Sequence, residues 1–356
     1  MAERLRADGH SEVAFVGTPD GQEARLVTEA GLEFHGIPSK GFDRSRPLSL
    51  VVAAAVLAIS TLKAVMLLRR LRPDVVAGFG GYVSMPVGIA ARLLGVRLVL
   101  QEQNSVPGLA NRFLSRWARE VGVTYEQSAA YLRHPDRVVL TGNPVRPAFL
   151  EADRLTGRQA LGVPGDAVVL LVFGGSRGAR HINQAVVAGL ASLLAVPDSF
   201  VVHVAGREEA EEVRSSVAVL SVDHERYRIY DYIEDMGAAL AACDLVVARA
   251  GATSIAEITA VGRASVLVPY PYATDDHQTK NAQALSAAGG ALVFSDDALD
   301  RPEFIEAVTA LLSDAGRRAT MAAASRSLGR SDAAERVARM IRAETVSREH
   351  EPAKER

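Results

Sequence analysis

The sequence predicts an α/β protein of two Rossmann-like, doubly wound domains with a cleft between them. Short β-rich runs alternate with helical patterns along the whole chain. Several of these runs are apolar on both faces, as in parallel strands that helices cover on either side. The length of 356 residues favours two domains over one.

The composition is that of a globular protein, with 48% hydrophobic and 23% charged residues. The single cysteine, Cys243, excludes an internal disulfide, and no zinc-type cluster of Cys and His occurs, so we expect no metal. A net charge of -2 is too balanced to indicate a nucleic-acid partner. Residues 1–142 carry 17 basic and 13 acidic side chains, which either favours an anionic membrane surface or reflects a random distribution of surface charge.

We place the first domain at residues 1–143. Its strands are predicted at the runs EVAFVG, LEFHGIP, DVVAGFG, RLVLQE, EVGVTY and RVVLTG. The chain opens on a helix, MAERLRADGH, whereas a doubly wound domain ordinarily opens on its central strand. We therefore expect this domain to be truncated at its N-terminus, to lack the first strand and the turn after it, and to have lost the middle ladder of its sheet. The true start of the protein is expected upstream.

One apolar segment of the first domain approaches the length of a membrane span. It begins at Leu48 and reads LSLVVAAAVLAISTLKAVMLLRRLRPD. Lys63 interrupts it and much of the rest is alanine, so we expect a helix buried in the core. A direct contact with a membrane surface is the alternative, because arginines at positions 69, 70 and 72 give the segment a basic rim.

The stretch TGNPVRPAFLEADR separates the domains, since Pro144 and Pro147 interrupt the alternating pattern. The second domain, residues 144–330, begins with a strand, as expected. Its strands are predicted at VVLLVF, FVVHVAG, YRIYDYI, DLVVARAG, ASVLVPY and ALVFSD. We expect a helix over residues 331–345 to pack back on the first domain, and the charged tail 346–356 to be disordered.

A glycine turn follows the first strand of the second domain, in VFGGSRGARHIN. Gly174, Gly175 and Gly178 open a helix, whose free N–H groups and dipole suit a phosphate. Ser176 can add a hydroxyl donor. The turn matches neither a Walker loop nor the complete G-x-G-x-x-G pattern, so a turn needed only for close packing remains the alternative.

A second turn, at Gly251 in ARAGATSIAEI, opens a helix that carries Glu257. A carboxylate there can accept hydrogen bonds from a ribose diol. The alternative is that its negative charge only interacts favourably with the positive end of the helix dipole. Gln278 and Asn281 begin a later helix and could bind sugar hydroxyls or merely be solvated.

In the first domain, the segments FGGYVSMP and QEQNSVPGLANR each follow a strand, and ligands of open α/β folds bind at such carboxyl ends. Asn104 lies in the second segment. Arg146, in the linker, could pair with a phosphate or simply hold the linker.

Taken together, these segments resemble the MurG family, in glycosyltransferase family 28. The resemblance runs from about Arg4 to Arg342 and keeps the family's order and spacing. It includes FVGTPDGQEARLV, GFGGYVSMP, QEQNSVPGLANR, GNPVR, GGSRGARHIN, RAGATSIAEI and DDHQTKNA. It implies a GT-B fold and an inverting transferase for peptidoglycan synthesis on the cytoplasmic face of the plasma membrane. N-acetylglucosamine would move from UDP-N-acetylglucosamine to the undecaprenyl-linked muramyl-pentapeptide, with the inner-leaflet membrane surface as a further partner.

The resemblance also implies roles for individual residues. Glu257 would hold the ribose hydroxyls, and the backbone at Ile233 would meet uracil. Gln278 and Asn104 would contact N-acetylglucosamine, while Gly80, Gly81 and Tyr82 would line the acceptor side. The groups expected to face the diphosphate are Ala252, Thr253, Ser254, Ile255 and Ala256, with Ser176 and Arg146 nearby.

The chain departs from the family pattern at two points. Gln101 stands where the family usually has His, and no Gly-Gly-Thr-Gly-Gly-His turn occurs, so no catalytic residue is assigned. No Asp-x-Asp pair is present, and we expect neither metal nor cofactor. The alternatives are a UDP-sugar-binding remnant that transfers little sugar and a UDP-N-acetylglucosamine epimerase.

Overall fold

The structure, a computed structural model, describes residues 1–7, 9, 11–39, 47–175 and 179–346. The chain divides into two compact units. The first unit comprises Met1–Pro144 together with the chain from Asp332 onward, and the second comprises Val145–Ser331.

The first unit is an α/β unit whose strands pair in parallel. Its elements up to the linker are α1 (Ala2–Arg6), β1 (Ala14–Gly17), α2 (Gln22–Glu29), β2 (Glu33–Gly36), α3 (Pro47–Leu71), β3 (Val75–Gly78), α4 (Ser84–Leu94), β4 (Arg97–Glu102), α5 (Leu109–Leu114), β5 (Glu120–Val123) and β6 (Val138–Leu140).

All six strands predicted for this unit are present, but they form two sheets. β1 pairs with β2, and the second sheet has the order β3-β4-β5-β6. No ladder joins β1 to β3 in the part of the chain that the structure describes. The apolar core nevertheless spans both sheets, since Val16 of β1 packs in the same cluster as Val76 of β3.

The long helix α3 is less buried than the sequence predicted. It packs against α4, and its buried residues form a narrow stripe at Ser60, Ala64 and Leu68. The other face is exposed, with exposed fractions of 57%, 61% and 55% at Ile59, Leu62 and Met66. The expectation of a core helix is therefore wrong for most of α3. Among the described residues, α3 is the one helix long and apolar enough to cross a membrane.

The second unit contains one six-stranded parallel sheet. Its elements are α6 (Pro147–Glu151), α7 (Arg154–Ala160), β7 (Val168–Phe173), α8 (Arg180–Ala188), α9 (Leu190–Ala195), β8 (Ser199–Val204), α10 (Ala210–Ala218), β9 (Tyr227–Tyr230), α11 (Met236–Ala242), β10 (Leu245–Arg249), α12 (Ala252–Val261), β11 (Ala264–Val268), α13 (His277–Ala287), β12 (Ala291–Val293), α14 (Pro302–Ser313) and α15 (Ala315–Leu328).

The strand order β12-β11-β10-β7-β8-β9 is that of a Rossmann sheet. Helices cover both faces, so alternate residues of β7 enter different cores: Leu170 and Val172 lie in one cluster, and Val169 and Leu171 lie in the other. This confirms the doubly wound fold predicted from strands that are apolar on both faces. The strand order reverses between β7 and β10, which makes the loops after these two strands the expected ligand site.

A buried guanidinium joins α7 to the loops beneath the sheet. Arg158, only 2% exposed, donates to the carbonyl oxygens of Ala242, Pro164, Gly165 and Ala167. It also donates to Asp244 Oδ2 at 2.9 Å, and the same oxygen accepts from the Val169 N–H at 2.8 Å. This network is structural, and no local sequence pattern indicates it.

The last helix, α16 (Ala333–Val346), belongs to the first unit. Its residues Val337 and Ala338 are buried in a cluster with Leu5 of α1 and Val99 of β4. Arg342 Nη2 donates to the carbonyl oxygen of Arg4 at 2.5 Å. The two ends of the described chain are therefore held together by packing and a hydrogen bond.

Candidate functional site

The reversal of strand order in the second unit brings two glycine turns to one edge of the sheet. Gly175 lies after β7 with φ of +99°, a conformation that glycine adopts without strain. Gly251 lies after β10 and directly precedes α12. Ser176 and Gly178 lie outside the described residues, so the phosphate contact expected of the first turn remains a prediction.

The start of α12 offers free backbone donors. Gly251 is extended, with φ of −63° and ψ of 143°, and no side chain caps the helix. The amides of Ala252, Thr253 and Ser254 therefore lack an acceptor within the helix. Ile255 is buried and its N–H donates to the Gly251 carbonyl at 2.9 Å, which fixes this first turn on the core. Such an end favours an anion.

Glu257 lies on the second turn of the same helix. Burial raises the pKa of Glu257 to about 7, and the positive charge of Arg146 opposes that rise. The carboxyl group therefore gains and loses its proton in the neutral pH range. Once ionised, it can accept hydrogen bonds from two neighbouring hydroxyls.

Arg146 directly precedes α6, and α6 packs against α12. Its guanidinium stacks over the Phe149 ring, 5.0 Å from the centroid, and the residue as a whole is exposed. The structure therefore brings together two residues that are far apart in sequence, Arg146 and Glu257. A cation close to α12 can stabilise negative charge on a leaving group bound at that helix.

Ile233 lies in the loop between β9 and α11 and is buried among Tyr230 and Met236. Two residues later, Asp235 caps α11, its Oδ1 accepting from the Ala238 N–H at 2.9 Å. These contacts hold the backbone of the loop in place. A site that recognises a ligand through backbone N–H and C=O groups needs such a fixed backbone. The contact with uracil itself stays a prediction.

The loop between β11 and α13 holds Gln278. Its Oε1 accepts from the Tyr270 N–H at 2.9 Å, which directs the amide NH₂ away from that strand end. Asp275 and Asp276 both have positive φ, 52° and 53°, in a tight turn before the helix. Asn281 is fully buried, so it is not merely solvated. A contact between Asn281 and sugar hydroxyls stays a prediction.

In the first unit, a buried carboxylate organises the segment that contains Asn104. Glu102, 2% exposed, accepts at Oε1 from the Asn104 backbone N–H at 2.9 Å and from its Nδ2 at 3.2 Å. Its Oε2 accepts from the Gly108 N–H at 3.1 Å and from Asn111 Nδ2 at 2.7 Å. Sequence reasoning singled out Asn104 and missed Glu102, the group that fixes its position.

The same segment is tied to the glycine turn after β3. Gln103 Nε2 donates to the Phe79 carbonyl at 3.1 Å, next to Gly80 and Gly81, whose φ values are +81° and +77°. Tyr82 follows and is largely exposed. The expected acceptor-side residues are therefore adjacent to the Asn104 segment within one unit.

Gln101, which stands where the family usually has histidine, makes a buried hydrogen bond within the first unit. It is 1% exposed and its Nε2 donates to the Gly142 carbonyl at 3.1 Å, ahead of the linker. Among the described residues, no group of three His, Cys, Asp or Glu side chains is placed to hold a metal.

Comparisons with known proteins agree with this architecture. The N-terminal domain model of glycosyltransferase family 28 matches residues 1–123, and its C-terminal domain model matches residues 169–337. A protein of Chlorobium luteolum is 46% identical over 91% of this chain and 88% of its own length. One of Desulforudis audaxviator is 41% identical over 90% of this chain and 87% of its own. Both are named UDP-N-acetylglucosamine–N-acetylmuramyl-(pentapeptide) pyrophosphoryl-undecaprenol N-acetylglucosamine transferase.

Solved structures share the fold. The crystal structure of Acinetobacter baumannii MurG superposes with a TM-score of 0.76 at 30% identity, covering 96% of this chain and 94% of that one. Anabaena HepE in complex with UDP and glucose superposes with a TM-score of 0.60 at 16% identity, covering 96% and 94%. The second likeness is one of fold alone.

Proposed function

We infer the reaction from a family membership: the chain belongs to glycosyltransferase family 28 and, within it, to the MurG family of N-acetylglucosamine transferases. It transfers N-acetylglucosamine from UDP-N-acetylglucosamine to undecaprenyl-pyrophosphoryl-N-acetylmuramyl-pentapeptide, converting lipid I to lipid II. The observation that carries the proposal is the position of the α12 N-terminus at the switch point of a Rossmann sheet. Glu257 lies on the second turn of the same helix.

The donor is held by groups with distinct tasks. The amides of Ala252, Thr253 and Ser254 and the helix dipole face the diphosphate, and Ala256 lies beside them on the helix. Glu257, as a carboxylate, accepts from both ribose hydroxyls. The backbone of Ile233 contacts uracil, and the NH₂ group of Gln278 donates a hydrogen bond to the sugar.

The transfer step breaks the bond between the anomeric carbon and the diphosphate oxygen. The oxygen of the acceptor hydroxyl attacks the opposite face and its proton is released to solvent, so configuration at that carbon inverts. UDP leaves with increased negative charge, which the α12 N-terminus and Arg146 stabilise without reorganisation. Asn104, held by Glu102, contacts the N-acetylglucosamine, and Gly80, Gly81 and Tyr82 lie on the acceptor side.

The lipid acceptor requires the enzyme to work at a membrane surface, and we place it on the cytoplasmic face as a peripheral protein. The exposed apolar face of α3, at Ile59, Leu62 and Met66, supports this. Arg69 and Arg70 end the helix and are exposed, so an apolar face adjoins cationic groups suited to anionic headgroups.

A transfer assay tests the proposal. The full chain is given UDP-N-acetylglucosamine labelled in the sugar and a soluble lipid I analogue, and label in the analogue is measured. We expect transfer by the wild type and by Glu211→Gln, a variant at an exposed acid on α10, and strongly reduced transfer by Glu257→Gln. Donor binding without transfer would instead support the remnant, and release of 2-epimerised donor would support the epimerase.

A further inference from the structure

Four charged side chains form a cluster at the carboxyl edge of the second sheet, which we call the His181 cluster. Asp296 is at its centre: Oδ2 meets His181 Nδ1 at 2.8 Å, and Oδ1 accepts from Arg249 Nη1 at 2.5 Å. Asp300 Oδ1 meets the other ring nitrogen of His181 at 3.1 Å. Arg249 and Asp296 are mostly buried, with side chains 12% and 19% exposed, so water screens this pairing only weakly.

The four members come from three segments of the chain around the proposed donor site. His181 is the second residue of α8, just after the glycine turn that follows β7. Arg249 ends β10 and precedes the Gly251 turn that opens α12. Asp296 and Asp300 follow β12. The cluster therefore links the two turns at the switch point to a third loop.

Arg249 extends the connection to a fourth loop. Its Nη1 also donates to the Pro269 carbonyl at 3.2 Å, and its guanidinium lies over the Tyr270 ring, 5.7 Å from the centroid. The Tyr270 N–H in turn donates to Gln278 Oε1. A continuous set of contacts therefore runs from His181 to the side chain proposed to meet the donor sugar.

The charges around His181 favour its imidazolium form. The hydrogen bond to Asp296 raises the pKa of His181 above its ordinary value, and the bond to Asp300 adds to this. Burial would raise the pKa of Asp296, but bonds from His181 and Arg249 hold it below its ordinary value. Two ion pairs lie on adjoining segments: Arg180 with Glu209, with the charge of Glu212 nearby, and Asp297 with Arg301.

We propose that His181 is a positioning residue for the donor: as an imidazolium held by Asp296 and Asp300, it fixes the start of α8 and, through Asp296 and Arg249, the loops that bind the nucleotide sugar. The proposal rests on the proposed function and adds to it a residue that touches no substrate. Because the cluster orders the free site, its loss weakens donor binding in the ground state and the transition state alike. The donor KM then rises while kcat changes little.

The sign of the pH dependence follows from the charge. The cluster is intact below the raised pKa of His181 and loses the imidazolium as pH rises through it. The donor KM of the wild type therefore rises on the alkaline side, by roughly threefold to tenfold for one charge-assisted hydrogen bond. Ionisation of Glu257 changes the donor KM in the opposite direction, so the His181 variants are needed to assign the alkaline rise.

The test measures donor KM and kcat of the full chain from about pH 6 to about pH 9 with UDP-N-acetylglucosamine and a lipid I analogue. His181→Gln should show the raised KM at every pH and no alkaline rise. His181→Arg keeps a permanent cation and should retain the low KM at alkaline pH. His224→Gln, at an exposed histidine of the same unit, should match the wild type.

Asp296→Asn is a second test of the proposal, since it removes the carboxylate that binds both His181 and Arg249. It should raise KM like His181→Gln, and the double variant should be no worse than the poorer single one. If the donor KM of His181→Gln and Asp296→Asn depended on pH as in the wild type, this proposal would be overturned and the proposed function would stand. A lower melting temperature with unchanged KM would have the same consequence. A wild type with no measurable donor KM would overturn the proposed function and this proposal together.

Discussion

Arg146 and Glu257 form a pair in which a cation before one helix lowers the pKa of a buried carboxyl group on another. Burial raises the pKa of Glu257 to about 7, and the charge of Arg146 limits that rise. The residues are brought together because α6, the first helix after the linker, packs against α12. In the proposed enzyme, this pair couples donor recognition to pH.

UDP binding should release a proton near neutral pH. The ribose diol is bound by the carboxylate form of Glu257, so affinity rises as pH increases through about 7 and levels off above it. Glu257→Gln should lower the affinity by about tenfold or more and abolish the proton release. Titration calorimetry in buffers of different ionisation enthalpy measures both. Binding without proton release in the wild type would refute the ribose role.

Removing the cation should shift this profile. In Arg146→Gln, the carboxyl of Glu257 loses its opposing charge, so the midpoint of UDP affinity against pH moves upward. Affinity at saturating pH should also fall, because the diphosphate loses a cation. Arg228→Gln is the matched control, since Arg228 likewise stacks on a phenylalanine, Phe200, at 5.2 Å. An unchanged midpoint in Arg146→Gln would show that the two charges do not interact.

Arg158 should be essential for stability and not for chemistry. Arg158→Met removes the guanidinium donor from four backbone carbonyl groups and from Asp244 Oδ2, at a cost of about 3 to 5 kcal/mol in the free energy of unfolding. Arg154→Met is the comparison, because Arg154 binds the other oxygen of Asp244 at 2.6 Å but is 38% exposed. That variant should lose less than about 1 kcal/mol. Urea unfolding of both variants measures the difference, and equal losses would contradict the account.

The exposed face of α3 should bind anionic vesicles. Ile59→Glu and Leu62→Glu place charges on this face without disturbing the buried stripe, so binding should fall at unchanged melting temperature. Arg69→Gln should reduce binding more at low salt than at high salt. Val219→Glu, at an exposed apolar residue of the second unit, is the control. Vesicle co-sedimentation measures binding, and full retention in Ile59→Glu and Leu62→Glu would exclude this face.

Local sequence patterns predicted the features that depend on residues close together in the sequence. Every strand of the described residues was recognisable as a short β-rich run, and Gly251 followed by a helix with Glu257 identified the proposed donor site. The contacts that position these groups could not be predicted in this way. His181 and Asp296 are 115 positions apart, and Arg158 is 86 positions from Asp244. The exposure of α3 was also missed, because composition does not show which face of an apolar helix finds a partner.

Amide hydrogen exchange with and without UDP-N-acetylglucosamine tests the central claim most directly. The amides of Ala252, Thr253 and Ser254 have no intrahelical acceptor and should exchange fast in the free protein. We predict that the donor slows their exchange strongly, together with the amide of Ile233. Donor binding with unchanged exchange at the start of α12 would contradict the account.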